Sequence, residues 1–188
     1  MNNPLITIGI TCYKSKDTIV NSINSAINQN WGNKEIIIVD DFSNDGTVDL
    51  IKKIDFKNTN HKIVQHEKNK GFPSAINTLI KNAKGQFICF FDHDDFSAPE
   101  RLNIQFTTLK KYIEKTGAKH VVCYASRIRS YENGYKKIMP AIGSQEKIPI
   151  GNDIINYHLS KRVEGNIYFG SVARALAIST LRLSPPDK

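Results

Sequence analysis

The segment Gln86-Phe87-Ile88-Cys89-Phe90-Phe91-Asp92-His93-Asp94-Asp95 constrains the chain more than any other. An apolar run of strand length ends there in three carboxylates within four residues. A continuous apolar run is the pattern of a strand covered on both faces, as in a parallel sheet. Its end then emerges at the carboxyl edge, where open α/β sheets bind their ligands. Three neighbouring carboxylates repel one another, and folding alone supplies no reason to gather them. A hard divalent cation with oxygen ligands converts that repulsion into binding energy. The competing reading is a solvated acidic turn leading into a helix that begins near Pro99.

A length of 188 residues suits one domain with a sizeable core. The apolar share of 40% and charged share of 23% are those of an ordinary globular protein. No apolar run approaches the ~20 residues that span a bilayer. Met1-Asn2-Asn3-Pro4 has neither the basic nor the apolar region of a signal peptide. Cys12, Cys89 and Cys123 lie in apolar, strand-like surroundings without metal-ligand spacing. Buried reduced thiols are therefore expected, which suits a cytoplasmic location. A net charge of +8 raises the question of nucleic acid, but the lysines are dispersed, as in Lys52-Lys53 and Lys110-Lys111. No basic stripe interleaved with aromatics and no helix-turn-helix signature accompanies them, so nucleic acid is not an expected partner. Peripheral contact with an anionic membrane, or a phosphorylated substrate, makes better use of the charge. A solubilising surface is the plain alternative.

Strand and helix alternate at βαβ spacing, which predicts an α/β fold on a mostly parallel sheet. Strands are expected over 5–11, 35–40, 62–65 and 86–91, with helices over 17–30, 47–54, 69–83 and 99–115. Asp17 is expected to cap the first helix. Beyond Lys119 the pattern changes. Residues 120–125 read as a further strand, and Asn133-Gly134 between two strand-like runs predicts a small antiparallel hairpin. A short helix near 151–157, a strand or loop over 165–170 and a helix over 171–180 follow. The ending Leu183-Ser184-Pro185-Pro186-Asp187-Lys188 leads us to expect a chain cut before its fold is complete. One division is expected, between a ligand-binding half over 1–118 and a second segment of the same domain over 119–188.

Three loops should meet at the carboxyl edge of the sheet. The first carries Thr11, Tyr13 and Lys14, the second Asp40, Asp41, Ser43, Asp45 and Gly46, and the third Asp92 to Asp95. Asp41 can accept hydrogen bonds from a polar heterocycle edge, and Tyr13 offers a ring to stack on it. Asp45 and Thr47 are better read as a turn and helix cap. No Gly-rich phosphate cradle is present, so a nucleotide diphosphate would need a cation held by carboxylates. His93, inside the acidic cluster, alternates away from its neighbours and reads as a packing residue. His61, His66, His120 and His158 are scattered and support no zinc site.

Four segments, taken together, resemble the family 2 glycosyltransferases: 6–13, 35–47, Asn69-Lys70-Gly71 with Ala75 and Asn77, and Phe91-Asp92-His93-Asp94-Asp95. The resemblance is close over about residues 4–115 and looser to about 180. It implies a GT-A fold and an inverting transfer from a nucleotide-sugar donor, with a UDP-sugar favoured. The acceptor would be a glycan or lipid-linked molecule of bacterial surface polysaccharide or lipooligosaccharide synthesis. By position, Thr11 and Tyr13 would line the nucleobase pocket and Asp41 would bond the base edge. Asp92 or Asp94 would face the ribose. Asp94 or Asp95 would hold Mn²⁺ or Mg²⁺ on the diphosphate, the usual motif being Asp-x-Asp and Asp95 an addition to it. Lys70 and Asn77 are candidates to help hold the donor, with capping and packing as the alternative for residues 69–77.

Two departures from the family pattern stand out. Thr11-Cys12-Tyr13 replaces the commoner Pro-Thr-Tyr. More seriously, the resemblance places the general base beyond the segment matching Gly170-Ser171-Val172-Ala173-Arg174, where this sequence offers only Asp187. Glu164 and Glu146 are upstream candidates that also read as surface charges. The base is therefore expected beyond Lys188. A non-catalytic nucleotide-sugar-binding module and a sugar-phosphate nucleotidyltransferase remain as alternatives.

Overall fold

The structure is a computed structural model that describes residues 3–118, 121–139 and 181–182. Its elements are β1 (Ile6–Cys12), α1 (Ile19–Ile27), β2 (Lys34–Asp40), α2 (Thr47–Lys52), β3 (Asn60–Gln65), α3 (Phe72–Asn82), β4 (Phe87–Asp92) and α4 (Arg101–Thr116). These are followed by β5 (Arg127–Ser130), β6 (Lys136–Met139) and β7 (Leu181–Arg182). Strands β1 to β4 pair in parallel in the order β3-β2-β1-β4, and β7 joins the β4 edge antiparallel at Phe87 and Ile88. The expected parallel α/β sheet is present.

Continuous apolar strands follow from burial on both faces. Successive residues alternate across the sheet. Ile36, Ile38, Phe87, Cys89 and Phe91 accordingly join Ile19 and Ile23 of α1 and Leu102 and Phe106 of α4 in one core. Ile37, Val39, Ile88 and Phe90 meet Ala75 and Leu79 of α3 in the other. Each such aliphatic or aromatic side chain contributes about 1.5–3 kcal/mol on full burial. Gly9 completes the second layer, because a Cβ there would stand inside the Leu79 side chain. The missing side chain lets α3 settle directly on β1.

Two expectations are corrected. Helix α1 begins at Ile19, and Asp17 does not cap it: Thr18 takes the cap position, with no side-chain bond to the first N–H groups of the helix. The N–H groups of Thr18 and Ile19 donate instead to the Ser15 carbonyl, at 3.1 and 2.9 Å. Residues 121–126 form no strand. Val121 and Cys123 pack on the first core, and the Cys123 carbonyl accepts from Gln105 of α4 at 2.8 Å, so α4 takes the place of a ladder. The hairpin exists as the β5-β6 pair. Its turn bonds Gly134 N–H to the Tyr131 carbonyl, and only Gly134 takes the left-handed region, at φ 80°. That is a three-residue turn, Glu132-Asn133-Gly134, with a glycine bulge, and the expected hairpin is present. The elements expected over 151–157 and 165–180 lie outside the described residues.

Candidate functional site

Strand register brings the first three loops together. Cys12 on β1 lies opposite Asp40 on β2, and Thr11 lies opposite Asp92 on β4. The Asp41 N–H then donates to the Cys12 carbonyl at 2.9 Å, closing β1 to the second loop. Side chains of that second loop hold the first one in place. Ser43 Oγ accepts the Lys14 N–H at 2.8 Å, Thr47 Oγ1 the Ser15 N–H at 3.0 Å, and Asp45 Oδ2 the Lys16 N–H at 3.4 Å. Asp45 Oδ1 also takes the Thr47 N–H and hydroxyl, at 3.1 and 2.6 Å, a turn onto the first residue of α2, while Gly46 stands at the cap position. The Thr47 bonds outweigh a smaller burial penalty and hold the Asp45 carboxyl below its usual range. The loop so fixed presents Tyr13, 42% exposed, with Lys14 Nζ 5.3 Å from its ring centroid. Thr11 is buried beneath it.

Asp40 and Asp41 look inward. Asp40 is fully buried, accepting the Ser43 N–H at 2.8 Å and lying 3.6 Å from the Cys12 thiol. Burial, reinforced by the Asp40 charge, pushes the Cys12 thiol far up, so it stays protonated and unreactive. Asp41, 4% exposed, is a hub. Its Oδ1 accepts from His66 Nδ1 at 2.7 Å and the Lys70 N–H at 2.9 Å, and its Oδ2 accepts the Gly71 N–H at 2.7 Å. Burial alone would raise the Asp41 carboxyl. The Lys70 N–H, the His66 side chain, the Gly71 N–H and the His66 charge outweigh it and hold the carboxyl below its usual range. On the far side of the ring, His66 Nε2 lies 2.8 Å from Thr78 Oγ1 on α3. The Lys70 side chain and Asn77 are exposed.

The acidic loop is held from beneath by a polar stripe on and beside α1. Thr18 Oγ1 lies 3.3 Å from His93 Nδ1, and Ser22 Oγ donates to the Asp92 carbonyl at 2.8 Å. Ser25 Oγ accepts the Ser97 N–H at 3.2 Å. Gln29 donates to the Ala98 carbonyl at 2.8 Å and accepts the Leu102 N–H at 3.2 Å, capping α4 through space. Arg101 adds bonds to Ser97 Oγ at 2.8 Å and the Phe90 carbonyl at 3.1 Å. Asp92 and His93 are half-buried, while Asp94 and Asp95 are exposed on top of this support. Among the described residues, no three His, Cys, Asp or Glu side chains stand close enough to hold a cation by themselves. Glu146, Glu164 and Asp187 lie outside the described residues. Sequence reasoning missed His66 and the Thr18, Ser22, Ser25, Gln29 stripe. The stripe's helical spacing was readable, but its partners are 68–75 residues away.

Residues 7–176 match the family described as Glycosyl transferase family 2. The chain belongs to glycosyl transferase family 2. Among its relatives, WfaP of Escherichia coli, a UDP-Glc:alpha-D-GlcNAc-diphosphoundecaprenol beta-1,3-glucosyltransferase, is 37% identical over 121 residues. That match covers 59% of this chain and 47% of WfaP. The crystal structure of S. aureus TarS 1-349 in complex with UDP-GlcNAc is similar with a TM-score of 0.51 and 28% identity, over 61% of this chain and 32% of that one. The mannosyltransferase PcManGT from Pyrobaculum calidifontis, solved with GDP-Man and Mn²⁺, shares the fold at a TM-score of 0.54 and 20% identity, over 66% of this chain and 36% of that one. The family 2 chain described here spans about half the length of the curated relatives it matches, 40–50% of the first several. No helix among the described residues is long and apolar enough to cross a membrane.

Proposed function

We propose that this chain carries the donor-binding half of an inverting glycosyltransferase that takes a UDP-sugar and acts on a lipid-linked or glycan acceptor in bacterial surface-glycan assembly. The observation that carries the reading is the register that stacks Thr11, Cys12, Asp40 and Asp92 side by side beneath the loops of Tyr13, Asp41 and Asp94. In this reading residues 1–118 bind the donor and 119–188 face the acceptor. Tyr13 stacks on the base, Asp41 accepts its N–H, and Asp92 or Asp94 takes the ribose hydroxyls. Lys70 lies beside the same carboxylate and is available to donor phosphate.

Asp94 and Asp95 are exposed hard-oxygen donors on a firmly held loop, which fits Mn²⁺ or Mg²⁺. Two protein carboxylates with the donor's phosphates completing the shell is the usual habit of Mg²⁺. When bound there, such a cation neutralises charge on the departing diphosphate. The acceptor oxygen forms its bond to C1 as the bond from C1 to the diphosphate oxygen breaks, and the hydroxyl proton passes to a general base. Relatives that act on lipid-linked acceptors, and the net charge of +8, support a cytoplasmic site of action at the membrane's inner face.

Calorimetric titration of the full chain with UDP, GDP and dTDP, each with Mn²⁺ or with EDTA, tests the reading. Manganese-dependent binding of UDP is expected, lost in Asp94→Ala and Asp95→Ala at unchanged melting temperature. Equal UDP affinity in EDTA overturns the cation assignment. Absence of binding to every nucleotide by a folded chain overturns the donor site.

A further inference from the structure

We infer that His66 is a positioning residue for base recognition, orienting Asp41 so that one acceptor site remains for a single base N–H. The inference rests on the reading of Asp41 proposed above. Each carboxylate oxygen accepts about two hydrogen bonds. Oδ1 takes two, from His66 Nδ1 at 2.7 Å and the Lys70 N–H at 2.9 Å. Among the described residues Oδ2 takes one, from the Gly71 N–H at 2.7 Å. Oδ1 is therefore saturated, and Oδ2 keeps one site.

That count carries chemical information. The imide edge of uracil or thymine offers one N–H between two carbonyls and needs one acceptor. Guanine offers a ring N–H beside an amino group and needs two. A carboxylate with one site left suits the first kind of edge and leaves a guanine donor unpaired, which is costly in a desolvated pocket. That site depends on His66. Remove its Nδ1–H and the carboxylate is no longer pinned by the ring through Oδ1, so it turns and its remaining Oδ2 site no longer faces the base N–H.

The ring is itself held for this task. Nδ1 faces an acceptor-only carboxylate and so carries a proton, and on the far side Nε2 lies 2.8 Å from Thr78 Oγ1, which fixes the other edge of the ring. His66 and Asp41 are each only 5% exposed at the side chain, so water does not compete for these bonds. Three elements converge on one carboxylate: the end of β2, the residue after β3, and α3 with the loop before it.

The test compares UDP with N3-methyl-UDP, which lacks the imide N–H, by calorimetry on the full chain with Mn²⁺. Asparagine places its side-chain nitrogen where Nδ1 stands, and glutamine where Nε2 stands. The wild type is expected to prefer UDP by about tenfold or more. His66→Asn should keep most of that preference, and His66→Gln should cut it to about twofold or less by binding UDP more weakly while N3-methyl-UDP is little changed. A packing role would treat both variants alike and weaken both ligands equally, and that result overturns the inference. A full preference in His66→Gln also overturns it while leaving the reading of Asp41 intact. Equal or no binding of the two ligands by the wild type overturns that reading and the inference with it. If a thermal melt shows His66→Gln unfolded, Thr78→Val decides, since it removes only the hydroxyl that fixes the ring. A reduced preference supports the inference and an unchanged one overturns it.

Discussion

Against burial, three partners, Lys70, His66 and Gly71, hold the Asp41 carboxyl below its usual range, and that has a measurable signature. A carboxyl whose folded pKa lies below its unfolded value, about 3.9, stabilises the fold fully above that value. The stabilisation is lost as pH falls through the lower, folded value. Asp41→Asn should therefore lower the melting temperature at pH 7, and the deficit should shrink as pH falls below about 4. Melts of both proteins from pH 7 to pH 3 check this, and a constant deficit would contradict it. Asp45 makes a different prediction. Asp45→Ala removes the bonds to Thr47 and the bond to Lys16, at a cost of about 1 kcal/mol in urea unfolding, and it loosens the loop under Tyr13. Asp41 was legible in the sequence because it follows an apolar strand directly. His66 was not, because a lone histidine carries no mark of its partner. The 25-residue gap to Asp41 closes only when β2 and β3 pair in parallel.

Helix α1 shows what a pattern of apolar residues reveals and what it hides. Ile19, Ile23, Ala26 and Ile27 announce a helix with one buried face. Ser22, Ser25 and Gln29 are just as buried, and they serve the loop after β4 through its backbone. Gln29→Ala leaves the Leu102 N–H and the Ala98 carbonyl without that partner, which should cost about 1–3 kcal/mol. It should also weaken the manganese-dependent nucleotide binding proposed above, because Asp94 and Asp95 ride on the loop it steadies. Urea titration and calorimetry on the same variant read the two effects. The segment 121–125 misled for the opposite reason. Its apolar residues are half-buried against the first core, with Cys123 tied to α4 through Gln105, and composition alone does not distinguish a ladder from a helix as the partner.

At the scale of the molecule, alternating strand and helix announced the parallel sheet, and the register within it follows from which faces must be buried. Strand order was less legible, since β1 lies between β2 and β4 although β4 comes much later in the chain. The loops leaving β1 and β4 come side by side there, at the carboxyl edge where open sheets hold their ligands. Gly9 sits at the middle of that central strand, facing α3. Gly9→Ala should overpack the layer by about 1–3 kcal/mol and lower the melting temperature by several degrees, read by calorimetric scanning. The same seat reaches further. How deeply Leu79 rests on Gly9 sets the height of α3, and with it the Lys70 and Gly71 amides just ahead of its first turn. Laboratory evolution of the proposed donor site would therefore do well to randomise Gly9, Ala75 and Leu79, buried in the layer between α3 and the sheet, alongside the exposed Tyr13 and Asp94.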